Sequence, residues 1–243
     1  MRITIVGGDE RALWLRELLK ERGETVHTLG LAVGDGRLDD LREARVVVLP
    51  YPYSVREGGI PCLTGATIEP EEALGALGEH QLLMAGEGIE PLLERREGPK
   101  PRVAYYNTDE AFLCENAEIS AEGAVCYAMR ALEGLLRGAS CMVIGYGRFG
   151  KEIAWRLHAL GATVTVVARR EDARNCARGL GLLACPMERM RDVLPCANVV
   201  FNTVPSRVLG MRELRLLPPD ALLLEVSAKP YGIDVDAAHQ LAL

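Results

Sequence analysis

Apolar residues along this chain fall into short runs separated by longer amphipathic stretches. Arg2-Ile-Thr-Ile-Val6 is a β-branched run of strand length, closed by Gly7-Gly8. Asp9 stands where a helix N-cap belongs, and Leu13, Leu15, Leu18 and Leu19 then recur near helical spacing up to Gly23. Glu24–Leu29, Arg45–Leu49, Gln81–Ala85 and Arg102–Tyr106 predict four further strands, and Pro50-Tyr-Pro52 stops the second of these. Helical segments are expected near Pro70–Leu77 and Ile89–Arg95. Strands alternating with helices predict a parallel α/β sheet.

The scheme then repeats. Strands are predicted over Cys141–Ile144, Thr163–Ala168, Leu182–Cys185, Asn198–Asn202 and Ala221–Val226, with a helix over Phe149–Leu160 ended by Gly161-Ala162. Between the two halves, Ile119–Leu136 reads as one long helix, uninterrupted by Pro and followed by Gly138. A helix joining two sheet domains would line the cleft between them. The expected organisation is an α/β domain over 1–118, a linking helix over 119–138 and a second α/β domain over 139–243.

Composition narrows the partners more than the fold. The chain has 243 residues, 49% of them hydrophobic, which is enough to bury two small cores. A net charge of -6 with no basic block argues against nucleic acid, whose phosphates need clustered Lys and Arg. No apolar run is long enough to span a bilayer, and Asp9 follows too soon after the first strand for a signal peptide; a cytoplasmic protein is expected. The seven cysteines form no C-x-x-C pair, so neither a disulfide framework nor a metal site is suggested, and reduced, mostly buried thiols are expected.

The chemistry concentrates in Gly145-Tyr-Gly147-Arg148-Phe149-Gly150, a G-x-G-x-x-G motif that follows a strand and opens a helix. That context makes it a dinucleotide loop. Gly145 allows the tight turn, Gly147 lets the backbone approach a pyrophosphate, and Gly150 lets helix and strand pack closely. Helix-start N–H groups then face the anion. At the end of the next strand, where a carboxylate would hold the ribose of NAD, this chain has Arg169 and Arg170. Two guanidinium groups suit a 2′-phosphate, so NADP is expected over NAD. Asn202-Thr203-Val204-Pro205 and Ser227-Ala-Lys229-Pro230 follow the fourth and fifth strands, on the side where the nicotinamide would lie.

Six segments in this order, "VGGDERALWLRELL", "LPYPYS", "SAEGAVCYAM", "VIGYGRFGKEIAWRLHALGATVTVVARR", "VVFNTVP" and "EVSAKPYGIDVDAA", resemble the A subunits of dipicolinate synthase. The resemblance runs from near residue 1 to about residue 239. It implies a flavodoxin-like first domain, a Rossmann second domain and an architecture like that of the D-2-hydroxyacid dehydrogenases. It implies NADP-dependent oxidation of dihydrodipicolinate to dipicolinate in the mother cell during sporulation, beside a flavoprotein-like B subunit, and it leaves room for a homo-oligomer. Two departures stand out. This chain has Pro230-Tyr231-Gly232 where the family usually has Pro-Gly-Gly, and it stops at Leu243, so a last strand and return helix are expected to be missing.

A substrate with two carboxylates needs cations or backbone N–H groups. Gly8, Asp9 and Arg11 at the first helix start, Ser54 and Arg56 after the Tyr-Pro-Tyr segment, and Lys229 are the candidates. Glu122 on the long helix is the candidate base, with Lys229 beside it as a catalytic candidate. The four histidines (His27, His80, His158 and His239) read as structural or surface residues. The alternatives are a 2-hydroxyacid dehydrogenase and a non-catalytic NADP-binding regulatory protein.

Overall fold

The structure is a computed structural model that describes residues 1–32, 35–51 and 59–243. The chain divides into two compact units, Met1–Phe112 and Leu113–Leu243.

In chain order the first unit contains β1 (Arg2–Val6), α1 (Glu10–Glu21), β2 (Thr25–Leu29), α2 (Asp40–Glu43), β3 (Val46–Val48), β4 (Ile60–Pro61), β5 (Thr67–Ile68), α3 (Pro70–Gly75), β6 (Leu82–Ala85), α4 (Glu90–Arg95) and β7 (Arg102–Tyr105). Five of these strands form one parallel sheet in the order β2-β1-β3-β6-β7. Counting only the strands of this sheet, that is 2-1-3-4-5, the flavodoxin-like order. β4 and β5 make a separate antiparallel pair.

Strand alternation sends successive side chains to opposite faces. Val47 joins the core under α2, α3 and α4 with Leu41, Leu74 and Leu92, whereas Val48 packs beside Ile5 and Leu15 of the α1 face. Burial of a Leu or Ile side chain contributes roughly 1.5–3 kcal/mol. Gln81 is a fully buried polar residue in this unit. Its Nε2 donates to the carbonyls of Leu41 (2.6 Å) and Ala44 (2.7 Å), and its Oε1 accepts from the Gly78 amide (2.7 Å).

The second unit follows from α5 (Glu110–Ala131), whose buried residues Ala117, Ala121, Val125 and Ala128 form one helical stripe. The sequence predicts this helix over Ile119–Leu136. It starts nine residues earlier because Asp109 caps it, accepting from the Phe112 amide at 2.9 Å. It stops short of Leu132, in a segment where Gly134 and Gly138 take left-handed φ values of 153° and 82°.

Beyond it lie β8 (Ser140–Ile144), α6 (Arg148–Ala159), β9 (Thr163–Val167), α7 (Glu171–Gly179), β10 (Leu183–Cys185), α8 (Met190–Val193), β11 (Val199–Asn202), α9 (Met211–Leu214), β12 (Leu222–Glu225) and α10 (Val235–Leu241). The sheet is parallel throughout, in the order β10-β9-β8-β11-β12. Counted within the sheet this is 3-2-1-4-5, the Rossmann order. Val143, Val166 and Phe201 face α5 and α6, and Met142, Ile144 and Val200 face the opposite core with Leu209, Leu214 and Ala237. On α6 the buried residues are Gly150, Ile153, Ala154 and Leu157, at helical spacing.

The cysteines depart from the expectation of mostly buried thiols. None forms a disulfide, but only Cys62, Cys141 and Cys185 are buried, while Cys114, Cys126, Cys176 and Cys196 are exposed. Cys114 and Cys126 lie on α5 outside its buried stripe, and Cys176 precedes the one buried residue of α7, so helix periodicity turns all three outward.

Candidate functional site

In a sheet of this order the strand order reverses between β8 and β11, and ligands bind outside the carboxyl ends of the strands at that point. The glycine turn lies there. The Gly145 amide donates to the Val167 carbonyl at 2.8 Å, and Gly145 has φ 95°, a conformation that favours glycine. A Cβ on Gly145 would lie 2.3 Å from Thr203 Oγ1, and one on Gly150 would lie 2.3 Å from the Gly145 carbonyl oxygen. A Cβ on Gly147 would meet nothing within 4 Å. The first and third glycines are thus held by packing, and the second borders open space. α6 opens with the Lys151 amide donating to the Gly147 carbonyl at 3.0 Å. The turn before it leaves helix-start N–H groups, at Phe149 and Gly150 among them, without intrahelical acceptors. This cradle fits a pyrophosphate.

The second and third parts of the site sit on either side. Arg169 and Arg170 are exposed at the carboxyl end of β9, and Arg170 is the N-cap residue of α7. Arg170 pairs with Asp172 (Nε to Oδ1, 2.9 Å), and hydrogen bonding from Arg170 holds Asp172 down at about 2. Arg174, which no sequence motif singles out, donates to the Ala168 carbonyl at 2.8 Å and to the Arg169 carbonyl, tying α7 to the end of β9.

At the end of β11, Asn202 is fully buried. Thr203 donates to the Ile144 carbonyl through both its hydroxyl (2.8 Å) and its amide (2.9 Å), so the Asn202–Pro205 turn is fastened to the end of β8. Asn202 Nδ2 donates to the Val204 carbonyl (3.0 Å) and to both oxygens of Glu225 (2.9 and 3.0 Å). Glu225, the last residue of β12, also accepts from the amides of Ser227 (2.9 Å), Gly232 (2.8 Å) and Ile233 (2.7 Å). Burial pushes this carboxyl up, and hydrogen bonds from Ser227, Ile233 and Asn202 more than offset it, leaving it below the ordinary glutamate value. By sequence alone Glu225 is one more strand residue. The signal that would have found it is a carboxylate ending an otherwise apolar strand.

Ser227 is half-buried and Lys229 exposed on the turn that Glu225 organises. Tyr231, at the position where the family pattern has glycine, takes φ 65°, so the left-handed turn is kept with a tyrosine in it. Glu122 is exposed on α5, between the buried Ala121 and Val125.

In the first unit, Asp9 caps α1 and accepts from the Arg11 amide at 2.9 Å. Arg11 Nε and Nη2 fold back onto both Asp9 oxygens (2.6–3.0 Å). The hydrogen bond from Arg11 holds Asp9 below the ordinary aspartate value, and its counterpart raises Arg11. The Gly8 amide, expected to be available for an anion, donates to the Pro61 carbonyl at 2.6 Å. The reason is the β4–β5 pair, whose two-residue strands carry no periodicity that a sequence can display. Ser54 and Arg56 lie outside the described residues. Near Pro50 an aromatic group also escapes sequence motifs: Tyr51, Tyr106 and Phe112 stack edge-on or tilted with centroids 5.2–5.9 Å apart. The Tyr106 hydroxyl donates to the Leu49 and Pro50 carbonyls, and burial raises it well above the ordinary tyrosine value.

Residues 2–95 match the family model for the N-terminal domain of the dipicolinate synthase A subunit, and residues 116–229 match that for the D-isomer specific 2-hydroxyacid dehydrogenase NAD binding domain. The dipicolinate synthase A subunit of Bacillus subtilis (strain 168) is 22% identical over 252 aligned residues, covering 99% of this chain and 85% of that protein. Over nearly its whole length the chain is similar to that dipicolinate synthase A subunit. The crystal structure of the Bacillus halodurans dipicolinate synthase A subunit superposes with a TM-score of 0.85 at 22% identity, over 100% of this chain and 87% of that one. The apo-structure of D-lactate dehydrogenase from Escherichia coli superposes with a TM-score of 0.65 at 15% identity, over 99% of this chain and 78% of that one. The chain is therefore of the oxidoreductase type, with a nicotinamide-dinucleotide domain in its second unit. Among the described residues no helix is long and apolar enough to cross a membrane.

Proposed function

We propose that this protein is the NADP-dependent oxidoreductase component of a dipicolinate synthase and converts dihydrodipicolinate to dipicolinate. The observation that carries the reading is the match of both halves, in order, to the dipicolinate synthase A subunit and to the dehydrogenase NAD-binding domain. The nicotinamide, when bound, accepts a hydride; the dihydropyridine ring that gives it up also loses one proton and becomes aromatic. This chain's residues bind and orient. Phe149, Gly150 and the open side of Gly147 hold the pyrophosphate, and Arg169 and Arg170 hold the 2′-phosphate. Asn202–Pro205 and Ser227 border the nicotinamide. In the first unit Arg11, once released from Asp9, is the group suited to a substrate carboxylate; in the second unit Lys229 is suited to a carboxylate and Glu122 to taking the proton. A flavoprotein-like B subunit is the partner, and the place of action is the cytoplasm of the mother cell during sporulation.

The test supplies dihydrodipicolinate and NADP to the purified protein, with and without a B-type partner, and follows NADPH absorbance together with dipicolinate. Stoichiometric appearance of both supports the reading. Reduction of 2-oxo acids with no action on dihydrodipicolinate would instead make it a 2-hydroxyacid dehydrogenase. Cofactor binding without turnover under either condition would make it a regulatory protein.

A further inference from the structure

We propose that Glu225 is a positioning residue for the nicotinamide end of the dinucleotide, holding the turn after β12 against the turn after β11. The proposal rests on the dinucleotide reading above and adds to it a residue that touches neither cofactor nor substrate. The strand order assigns the halves of the ligand. Its pyrophosphate lies at the glycine turn after β8, its adenosine toward β9, and its nicotinamide toward the ends of β11 and β12. Glu225 ends β12 in register with Asn202 of β11.

The chemistry of its partners explains why a carboxylate is needed. The amide of Asn202 and the backbone amides of Ser227, Gly232 and Ile233 are all donors, and they converge on two oxygens. Only an ionised carboxylate presents acceptor capacity to that many N–H groups; a neutral amide would turn its own NH2 toward them. With its oxygens so engaged, Glu225 is poorly suited to proton transfer, so its effect passes through the backbone it holds.

That backbone has little room to move. A Cβ on Gly232 would lie 2.3 Å from Asn202 Nδ2 and 2.4 Å from the Val204 carbonyl oxygen, so the two turns are in direct contact. The Gly232 carbonyl in turn accepts from Val208 (2.9 Å) and Leu209 (3.0 Å). The Ser227–Gly232 turn is therefore anchored at both ends by the same carboxylate, and Ser227 and Lys229 ride on it. Through Asn202 and Thr203 the clamp continues to the Ile144 carbonyl, one residue from the glycine turn.

Glu225→Gln and Glu225→Asp test this without an activity assay. The probes are NADPH and NADH against ADP-ribose and its 2′-phosphate, which lack only the nicotinamide. The expected result is a folded Glu225→Gln protein with ADP-ribose affinity within about twofold of the parent and reduced-nicotinamide affinity weakened about tenfold, equivalent to about 1.4 kcal/mol. The bound nicotinamide fluorescence should fall with it, and Glu225→Asp should recover part of both. Equal affinities in parent and Glu225→Gln overturn the proposal, as does an equal loss for the probes with and without nicotinamide. Should Glu225→Gln fail to fold, amide exchange in the parent decides. The amides of Ser227, Gly232 and Ile233 are expected to be protected, and exchange at the unprotected rate overturns the clamp. A parent that binds none of the nucleotides removes the dinucleotide reading and the proposal together, whereas a parent that binds them beside an indifferent variant removes only the proposal.

Discussion

Gly150 of α6 packs against the carbonyl of Gly145 so closely that any Cβ at position 150 would lie 2.3 Å from that oxygen. Gly147, between them, has nothing within 4 Å of the place its Cβ would occupy. One motif thus contains a glycine required by packing and a glycine whose Cβ side is open. Gly150→Ala should overpack the turn and lower stability by about 1–3 kcal/mol, with loss of dinucleotide binding. Gly147→Ala should leave the melting temperature nearly unchanged and weaken the dinucleotide about tenfold or more. Thermal unfolding beside cofactor titration separates the two; equal melting temperatures would refute the packing account.

Arg170 is engaged by Asp172, which would compete with a 2′-phosphate for the same guanidinium. Under the NADP reading, Arg169→Ala and Arg170→Ala should each weaken NADPH by about tenfold and change NADH little. Asp172→Asn should tighten NADPH, because it frees Arg170 and removes a like charge. Calorimetric titration of both cofactors checks this, and a parent that prefers NADH would sink it.

Gln81 satisfies two carbonyls and one amide in the interior of the first unit. Gln81→Leu keeps the volume and strands all three groups. At about 1 kcal/mol per lost bond, with a further penalty for buried unpaired groups, the cost should reach about 2–4 kcal/mol. Urea unfolding gives the number, and a value below about 1 kcal/mol would count against the network.

Tyr231 has φ 65°, in the left-handed region where a side chain costs about 1–2 kcal/mol. Tyr231→Gly removes that cost but loosens the unfolded chain, so a net gain of about 0.5–1 kcal/mol is expected. A destabilised variant would mean that the half-exposed ring makes compensating contacts.

Acid should release the Glu225 clamp. Its folded value lies below the ordinary 4.5, so its contribution is complete above about that pH and is lost as pH falls through the folded value. Asp9 shifts in the same direction for its own reason, the Arg11 hydrogen bond. The parent should therefore lose stability on acidification below pH 4.5 more steeply than Glu225→Gln. Unfolding midpoints measured across that range should converge toward low pH; parallel curves would show that the carboxylate is not held down.

The chain's own pattern determined the sheets, because strand and helix periodicities are local. β1 was legible from the four β-branched residues Ile3–Val6 closed by Gly7-Gly8, and α6 from a glycine turn followed by an apolar stripe at helical spacing. The glycine turn was legible for the same reason: its backbone is set by glycines a few residues apart. The long helix α5 was only half legible, since Ala117 alone is buried among its first nine residues and its start is marked by Asp109, a single cap residue.

What only the tertiary structure decided is which polar groups find each other. Gly8 loses its amide to Pro61, Arg11 folds onto Asp9, and Gln81 reaches back to Leu41 and Ala44. Glu225 gathers donors from two turns and reaches Asn202, 23 residues away in sequence. Hydrogen bonds are directional and short in reach, so their pairing depends on how strands are ordered in space, and that order is not written in any local period. Hydrophobic alternation specified where the layers run; the sheet order then chose the few polar contacts that shape the site.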